Sequence, residues 1–324
     1  MDTQNQLTGR DHGGGLDAAV AKYGGRREDW LDLSTGINPN PYVFSDVPKA
    51  AWTDLPDQAA YEKAMSAARR FWKIPDDAAG LLAPGLSSVI AQLPFVMQGQ
   101  NYFIEEPTYN EYRAAFDRTD WTMPAAANQA DLRIVVSPNN PTGKWFGLGN
   151  LSDETSLVVD ESFADIAPEN SNANLARRSN TLLLKGLGKF WGLAGLRFGA
   201  AFGDALLIAR LQDRFGPWAV SGPALHVAAE ALKDVEWANQ TRENLSQMAG
   251  SLDQIFDPLM HGAARGTTLF RLYKVKDATV LHHYLCRSQI LTRVFPYDKT
   301  LIRVGLPADD TGLSRLRAAI KGVM

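Results

Sequence analysis

Apolar residues along the chain fall into two alternating patterns: short runs without polar interruption, and longer stripes at helical spacing. The runs at 134–136 and 157–159 contain only aliphatic residues, a pattern typical of strands that are buried on both faces. From such runs we predict strands at 102–105, 133–137, 156–159 and 181–184, with 197–202 as a further candidate.

Helical stripes lie between and before these runs. Apolar side chains recur at intervals of three and four residues over 61–72 and again over 86–97, although Pro94 interrupts the second stripe near its end. Strands that alternate with helices indicate an α/β fold with a mainly parallel sheet. The predicted fold class is therefore α/β.

The last third of the chain has a different pattern of apolar and polar residues. A long polar helical pattern covers about 235–259, and shorter elements follow it. These are predicted strands at 269–272, 290–294 and 301–304 and predicted helices at 278–286 and 311–320. We therefore predict a large domain of residues 41–205 and a small α+β domain made of residues 1–40 together with 206–324.

The composition of the 324 residues narrows the class of protein. Hydrophobic residues make up 45% and charged residues 21%, as in ordinary globular proteins. The 33 basic and 36 acidic residues give a net charge of −3, which argues against non-specific binding to nucleic acid or an anionic membrane. Cys286 has no second cysteine to pair with, and we see no apolar leader or membrane-spanning stretch. We therefore expect a cytoplasmic protein without a membrane partner.

Polar residues follow the predicted strands at their carboxyl ends, where open α/β sheets bind their ligands. Asn140, Asp160 and Lys189 each follow a different predicted strand. Tyr109 follows the strand predicted at 102–105. An amide, a carboxylate, an amine and an aromatic ring are thus expected to meet at one edge of the sheet.

The start of the helix predicted over 86–97 offers a site for phosphate. Gly85, Leu86 and Ser87 lie there, where backbone N–H groups lack partners within the helix. Arg197, eight residues after Lys189, adds a positive charge. Pyridoxal phosphate needs a lysine amine for its aldehyde, an acid for its ring nitrogen and a phosphate site. The residues therefore favour pyridoxal 5'-phosphate as the cofactor.

The set of Asn140, Asp160, Lys189 and Arg197, separated by 20, 29 and 8 residues, resembles the aspartate-aminotransferase-like enzymes of pyridoxal-phosphate fold type I. The resemblance implies a large domain with a mainly parallel, seven-stranded-type sheet and a small α+β domain. It also implies that Lys189 carries the Schiff base of the cofactor, that Asp160 holds the ring nitrogen and that Asn140 bonds the ring hydroxyl.

The same resemblance implies roles for the aromatic ring and the phosphate site. Tyr109 would stack on the cofactor ring, which places it with Lys189 and Asp160 among the catalytic residues. Gly85, Leu86, Ser87 and Arg197 would hold the phosphate.

A closer similarity covers nearly the whole chain and points to the threonine-phosphate decarboxylases of cobalamin biosynthesis, in the form typical of aerobic cobalamin-making bacteria. Seven segments carry it, and their order and spacing make the match specific: 12–19, 31–39, 50–56, 83–85, 188–197, 216–224 and 301–307. The similarity implies a carboxy-lyase that converts L-threonine O-3-phosphate to (R)-1-amino-2-propanol O-2-phosphate for cobalamin (vitamin B12).

This similarity also implies the residues that bind the substrate and the assembly of the enzyme. Arginine suits a substrate with two anionic groups, because its guanidinium binds carboxylate and phosphate with two hydrogen bonds. The implied substrate residues are His12, Gly36, Ile37, Asn38, Arg293 and Arg303. The family works as a homodimer with its sites at the subunit interface, so the expected partners are a phosphorylated amino acid and a second copy of the chain.

The chain departs from related enzymes at four positions. Gly186, Gly188 and Leu55 stand where enzymes of the wider group carry hydroxyl groups near the cofactor phosphate, although a glycine next to the lysine is usual in the decarboxylase subfamily. A hydrogen bond to a charged group is worth about 1.5–3 kcal/mol, so weaker cofactor binding is expected unless other donors compensate. Phe163 replaces a tyrosine of many aminotransferases, which favours the decarboxylase branch.

Two other functions stay open at this point. A histidinol-phosphate-type aminotransferase of class I/II shares the fold, the arginines and a phosphorylated substrate. A catalytically silent protein of the same fold would serve as a binding partner. Singly, Asn140 suits a common turn and Asp160 suits a helix cap, but their joint spacing with Lys189 and Arg197 argues for a site.

Metal ligands are the remaining candidates for chemistry. His282, His283 and Cys286 could share one helix face. Because no second ligand cluster accompanies them, we interpret them as ordinary helix residues and predict no metal site.

Overall fold

The computed structural model describes residues 12–148 and 154–322. By packing, the chain divides into two compact units, a larger one of Pro41–Asn239 and a smaller one of Met1–Asn40 with Gln240–Met324. Residues 206–239, assigned from the sequence to the small domain, pack with the larger unit. A functional domain boundary at residue 205 remains a prediction. No helix in the described part of the chain is long and apolar enough to cross a membrane.

The helices and strands are numbered in chain order. The helices are α1 (Leu16–Tyr23), α2 (Lys49–Thr53), α3 (Gln58–Phe71), α4 (Leu86–Val96), α5 (Glu111–Phe116), α6 (Ala205–Phe215), α7 (Gly222–Ala231), α8 (Val235–Phe256), α9 (Ala278–Arg287) and α10 (Asp310–Lys321). The strands are β1 (Leu31–Asp32), β2 (Ala79–Ala83), β3 (Tyr102–Ile104), β4 (Leu132–Val136), β5 (Ser156–Asp160), β6 (Thr181–Gly186), β7 (Gly199–Gly203), β8 (Arg265–Thr267), β9 (Phe270–Lys274), β10 (Ile290–Leu291), β11 (Arg293–Phe295) and β12 (Asp298–Gly305).

A six-stranded sheet in the order β2-β7-β6-β5-β4-β3 forms the centre of the larger unit. Strands β3 to β6 pair in parallel, and β7 runs antiparallel to both of its neighbours. The α/β fold class with a mainly parallel sheet is thereby confirmed. Beyond β3, where a seventh strand would pair, the described residues form a single parallel bridge between Asn101 and Thr122. Pro124 lies two residues further and has no N–H to extend the pairing.

The predicted strands at 102–105, 133–137, 156–159 and 181–184 correspond to β3, β4, β5 and β6 within about two residues at each end. The middle of β5, at Leu157–Val159, is fully buried, as the apolar run without alternation indicates. Strand β2 was not predicted, because Ala79–Ala83 contains no β-branched residue. Its pairing with β7 along five residues makes it a strand.

Helix α4 leads from β2 into the core of the larger unit. Val89, Ile90 and Leu93 are buried on its inner face, and each such side chain contributes about 1.5–3 kcal/mol through burial. Pro94 lies inside the helix, and its carbonyl accepts a hydrogen bond from Trp121 Nε1 at 3.0 Å. The predicted helix is confirmed despite its proline.

The smaller unit contains a four-stranded antiparallel sheet in the order β11-β12-β9-β8 and a parallel pair of β1 with β10. The predicted strand at 290–294 is two short strands, β10 and β11, which join different sheets with Thr292 between them. A small hydrophobic core in this unit includes Leu272, Phe295 and Leu301. Because this unit combines helices with both parallel and antiparallel strand pairs, the predicted α+β class of this part is confirmed.

Candidate active site

One cleft in the larger unit gathers the residues singled out by their order in the sequence. It encloses about 760 Å³ between atoms, including its open mouth. All eight residues predicted to bind a cofactor line it: Gly85, Leu86, Ser87, Tyr109, Asn140, Asp160, Lys189 and Arg197. Residues up to 112 positions apart in the chain therefore meet in one place.

The direction of the strands explains why these residues meet. Asp160 is the last residue of β5, and Asn140 and Lys189 lie in the loops that follow β4 and β6. Val136 pairs with Asp160 and Asp160 with Leu184, so the three strand ends lie side by side. Parallel strands bring their carboxyl ends to the same edge of the sheet, which is where ligands of this architecture bind.

Asp160 is held from two sides. Its side chain is nearly buried, at 3% exposure. The Tyr112 hydroxyl donates to Asp160 Oδ2 at 2.7 Å, and the Ser162 backbone N–H donates to Oδ1 at 2.8 Å. The Ser162 hydroxyl also donates to Oδ1. The carboxylate therefore has a defined position in the cleft.

The start of α4 forms the polar end of the cleft. Gly85 precedes the helix with a φ of 84°, in the left-handed region that favours glycine. A Cβ at Gly85 would lie 2.6 Å from Arg197 Nη2, so the guanidinium packs directly against the glycine backbone. The Ser88 hydroxyl donates to Gly85 O at 2.6 Å and is used within the turn. A helix start beside a guanidinium suits an anion such as phosphate.

Lys189 and Tyr109 provide the amine and the aromatic ring. Lys189 Nζ lies 5.6 Å from the centre of the Phe163 ring, so the amine shares the cleft with this phenylalanine. Burial, followed by the charge of Glu111, raises the pKa of Tyr109 above its usual range, and a hydrogen bond with Ser87 opposes the rise. Tyr109 is therefore a neutral phenol at neutral pH.

Asn139 ties two loops of the cleft together. Its Nδ2 donates to Pro107 O at 3.0 Å and to Thr142 Oγ1 at 2.9 Å. The Thr108 hydroxyl donates to Asn139 Oδ1 at 2.6 Å. The loops that carry Tyr109 and Asn140 are thus joined through one buried amide.

A buried charged network lies next to the cleft. Lys185 Nζ is 2.5 Å from Glu161 Oε2 and 4.0 Å from Asp165 Oδ1. Trp72 and Trp191 donate their indole N–H groups to Asp165 at 3.0 and 2.9 Å. Because Glu161 and Lys185 directly follow the paired residues Asp160 and Leu184, this network supports the strand ends that carry the site.

The charges of the cleft define the ligand that it suits. Among its described lining residues Lys189 and Arg197 carry two positive charges and Asp160 one negative charge. The polar end suits a phosphate, the amine can attack an aldehyde, and the carboxylate can hold a protonated ring nitrogen. These groups fit pyridoxal phosphate.

Three contacts around the site were missed by reasoning from the sequence alone. Tyr112 lies in the first turn of α5, whereas Tyr109 precedes that helix, so no helical spacing in the sequence connects Tyr112 with the site. Ser162 follows Asp160 by two residues, which is the spacing of an Asx turn. The Glu161–Lys185 pair had no local signal, because only the register of β5 with β6 brings these residues together.

The six residues predicted to bind substrate lie in the smaller unit. Arg293 and Arg303 are register partners on β11 and β12. Arg303 is buried, and its Nη2 donates to Ser34 O at 2.6 Å. Asn38 Oδ1 accepts from the Asn40 N–H at 2.9 Å. The remaining three are His12 and Ile37, both half-buried, and Gly36, which is buried. The role of these residues toward a substrate remains a prediction.

His282 and Cys286 lie on α9 in the smaller unit. His282 Nδ1 is 3.0 Å from Thr292 Oγ1, and Cys286 Sγ is 3.5 Å from His282 Nε2. Within residues 12–148 and 154–322, no group of three or more histidine, cysteine or acidic side chains is placed to hold a metal ion.

Sequence comparison shows which known proteins the chain is similar to. Residues 122–270 match the sequence profile of the family described as aminotransferase class I and II. The chain is 39% identical to a threonine-phosphate decarboxylase of Sinorhizobium sp. over 95% of this chain and 97% of that protein. It is 34% identical to a threonine-phosphate decarboxylase of Pseudomonas aeruginosa over 96% and 97%.

A solved structure shares the fold. The histidinol-phosphate aminotransferase of Sinorhizobium meliloti, solved in complex with pyridoxal-5'-phosphate, superposes with a TM-score of 0.76. The alignment covers 95% of each chain at 16% identity. At this identity the likeness concerns the fold alone.

Proposed function

The chain belongs to the threonine-phosphate decarboxylase family, within the aminotransferase class I and II group, and on that premise we propose that it decarboxylates L-threonine O-3-phosphate. The product is (R)-1-amino-2-propanol O-2-phosphate, for cobalamin biosynthesis. One observation carries the proposal: Lys189, Asp160 and the Gly85–Arg197 phosphate site line a single cleft in a chain with full-length decarboxylase relatives.

The residues of the cleft would hold pyridoxal phosphate in a defined way. Lys189 would bind its aldehyde carbon, Asp160 its ring nitrogen and Asn140 its ring hydroxyl. The backbone at Gly85–Ser87 and the Arg197 guanidinium would bind its phosphate, and Tyr109 would cover its ring. When bound, the cofactor supplies an electron sink for the pair left on Cα as the carboxylate departs.

The chain's own groups then have separate tasks in the reaction. The Cα–carboxylate bond breaks, carbon dioxide leaves, and a proton must bond to Cα in its place. Lys189, whose amine lies in the cleft, would deliver that proton. Asp160, anchored by Tyr112 and Ser162, would hold the proton on the ring nitrogen, because an anionic carboxylate favours the protonated ring.

Substrate binding is assigned to the smaller unit. We propose that Arg293 and Arg303 bind the two anionic groups of the substrate, with His12, Gly36, Ile37 and Asn38 around it. The guanidinium groups suit this task because each can bind a carboxylate or a phosphate with two hydrogen bonds.

A homodimer completes the proposal, with the sites at the subunit interface. Val43, Trp52 and Leu55 are 85%, 69% and 68% exposed in the larger unit, which is unusual for large apolar side chains close together in sequence. A second copy of the chain would cover them. Sedimentation should give a dimer for the wild type and a monomer for Trp52→Glu. A wild-type monomer at micromolar concentration would contradict this part.

A cytoplasmic location also remains part of the proposal.

A turnover assay tests the proposed function. Purified protein with added pyridoxal phosphate is mixed with L-threonine O-3-phosphate, without a keto acid, and carbon dioxide and the phosphorylated aminopropanol are measured. We expect catalytic release of both. Lys189→Ala should abolish turnover and the visible absorbance of lysine-bound cofactor, whereas Lys233→Ala, at an exposed lysine, should change neither.

The same assay separates the alternatives. Amino-group transfer to 2-oxoglutarate without carbon dioxide release would indicate a histidinol-phosphate-type aminotransferase. Failure to bind pyridoxal phosphate would indicate a catalytically silent protein of the same fold. Normal turnover by Lys189→Ala would overturn the assignment of the whole site.

A further inference from the structure

Tyr112 is a buried residue that contacts the cleft only through its neighbours. It lies on α5, is fully buried, and its hydroxyl donates to Asp160 Oδ2 at 2.7 Å. Its ring meets the Tyr109 ring edge-on, with 6.5 Å between the ring centres. Tyr112 thus touches two residues that line the cleft without lining it itself.

The hydrogen bonds of Asp160 determine which of its oxygens can receive a ligand. Each carboxylate oxygen can accept about two hydrogen bonds. Oδ1 accepts two from Ser162, one from its backbone N–H and one from its hydroxyl. From the described residues, Oδ2 accepts only the hydroxyl proton of Tyr112, which leaves it one acceptor position. Because Asp160 lines the cleft, Oδ2 is its oxygen with an acceptor position left for a donor bound there.

We propose that Tyr112 is a positioning residue, which holds Asp160 so that its Oδ2 accepts the proton of the cofactor's ring nitrogen. The proposal rests on the proposed function, since it requires pyridoxal phosphate in the cleft. The Tyr112 hydroxyl fixes the rotation of the carboxylate and leaves one acceptor position at Oδ2. Without it, only Ser162 holds the carboxylate, through Oδ1, so Oδ2 is less firmly placed and its contact with the ring nitrogen weakens.

The hydroxyl of Tyr112 is suited to this task throughout the pH range of enzyme assays. Burial and the neighbouring Asp160 charge raise its pKa well above the usual range, so the hydroxyl keeps its proton. A protonated phenol next to a carboxylate can only donate to it. The hydrogen bond is charge-assisted, and such bonds are roughly twice as strong as neutral ones.

A binding comparison with two cofactors tests the proposal. The apo form of the wild type and of Tyr112→Phe is titrated with pyridoxal phosphate and with its 1-deaza analogue, in which a C–H group replaces the ring nitrogen. Loss of a positioning hydrogen bond to a charged group should weaken binding of pyridoxal phosphate by about tenfold or more. Binding of the analogue should weaken by less than about threefold, because it has no ring nitrogen for Oδ2 to accept from.

A packing role would give a different result, since a damaged cleft would bind both cofactors less well. Equal losses for the two cofactors, or no loss for either, would overturn the positioning role. Tyr102→Phe serves as the matched control, because it removes another buried tyrosine hydroxyl of the larger unit, from a ring that stacks on Phe116. We expect it to bind both cofactors as the wild type does.

A second measurement does not depend on the variant. In a crystal structure of the wild type with pyridoxal phosphate, Oδ2 rather than Oδ1 should lie within hydrogen-bond distance of the ring nitrogen. A contact through Oδ1 would overturn the proposal while leaving the proposed function intact. A wild type that binds both cofactors equally would overturn the positioning role, whereas the proposed decarboxylation is tested separately by the turnover assay.

Discussion

Lys185 Nζ lies 2.5 Å from Glu161 Oε2, and the two side chains are only 3% and 0% exposed. The amine also donates to Ser171 Oγ at 3.2 Å, and Asn172 N–H donates to Glu161 Oε1 at 2.6 Å. Two lysines four residues apart therefore have different surroundings: Lys185, within β6, is buried in an ion pair, and Lys189, in the loop that follows β6, lines the cleft. The ion pair lies next to Asp160 and Leu184, which are paired near the ends of β5 and β6 where the site is formed.

Lys185→Met should destabilise the protein by about 3–5 kcal/mol, because it leaves Glu161 as a buried charge without its cation. Urea unfolding followed by circular dichroism measures the change. The control is Lys144→Met, which removes the lysine of a half-exposed pair with Glu105 and should cost less than about 1 kcal/mol. The double variant Lys185→Met/Glu161→Gln should recover part of the loss. Equal effects of the two single variants would contradict the importance of burial.

Gly85→Ala should lower the affinity for pyridoxal phosphate by about tenfold or more, since a left-handed φ costs an alanine about 1–2 kcal/mol and its Cβ would collide with the Arg197 guanidinium. Gly188→Ala is the control, because a Cβ there would lie 3.5 Å from Ala194 Cα, an ordinary contact. Titration of the apo forms, monitored by absorbance, measures both. Unchanged affinity of Gly85→Ala would refute the phosphate site.

Gly186→Ser should strengthen cofactor binding, since the resemblance to related enzymes implies a missing phosphate donor at this position. A Cβ there meets Leu86 Cγ and Phe198 O at 3.4 Å, which is an acceptable contact. A new hydrogen bond to the phosphate is worth about 1.5–3 kcal/mol, or about tenfold or more in affinity. Gly186→Ala adds the Cβ without the hydroxyl and should give no gain. A gain from alanine as large as that from serine would exclude the hydroxyl as the cause.

The stability of the protein should fall as the pH falls from 6.5 toward 4, in part because of His282. Burial, together with the charges of His283, Lys22 and Arg293, lowers the pKa of His282 to about 4. Between this value and the unfolded value of about 6.5 the unfolded chain binds the extra proton, so protonation favours unfolding. After allowance for partial exposure the effect is about 2 kcal/mol.

Urea unfolding of His282→Gln at pH 7 and pH 5 measures this contribution. The variant should lose less stability than the wild type between the two pH values, whereas His261→Gln, at an exposed histidine, should behave like the wild type. A variant whose pH dependence matches that of the wild type would show that His282 does not titrate as described.

Cys286 should be unreactive in the folded protein. Burial raises the pKa of its thiol to about 11, with a small opposing effect of Lys22, and the residue is fully buried. Thiolate is the reactive form, so reaction with Ellman's reagent at pH 8 should be roughly 100-fold slower than for an exposed thiol. In concentrated urea one thiol per chain should react at once. Rapid reaction of the folded protein would show that α9 opens readily.

Much of the site could be predicted from the chain alone, because its chemistry follows the order of the strands. A residue that directly follows a buried parallel strand lies at the carboxyl edge of the sheet. Asn140, Asp160 and Lys189 each follow such a strand, and Gly85 precedes a helix with apolar periodicity. Their presence in one cleft is therefore a consequence of local sequence and sheet direction.

Other features depend on pairing between distant segments. The run Ala79–Ala83 becomes a strand only because β7 lies beside it, and a sheet of six strands ends at β3 where a proline follows the Asn101–Thr122 bridge. Local propensity does not identify Ala79–Ala83 as a strand, because its strand conformation depends on pairing with a distant segment.

By itself the sequence determined the α/β class, the smaller α+β part and the set of residues that line the cleft, since periodicity and the residues after each strand are local properties. Only the tertiary structure decided that Tyr112 donates to Asp160 and that Glu161 pairs with Lys185. It also decided that Arg197 packs on Gly85 and that Ser34 accepts from Arg303. These contacts join residues up to 269 positions apart, and their geometry comes from strand register and close packing, which no local pattern encodes.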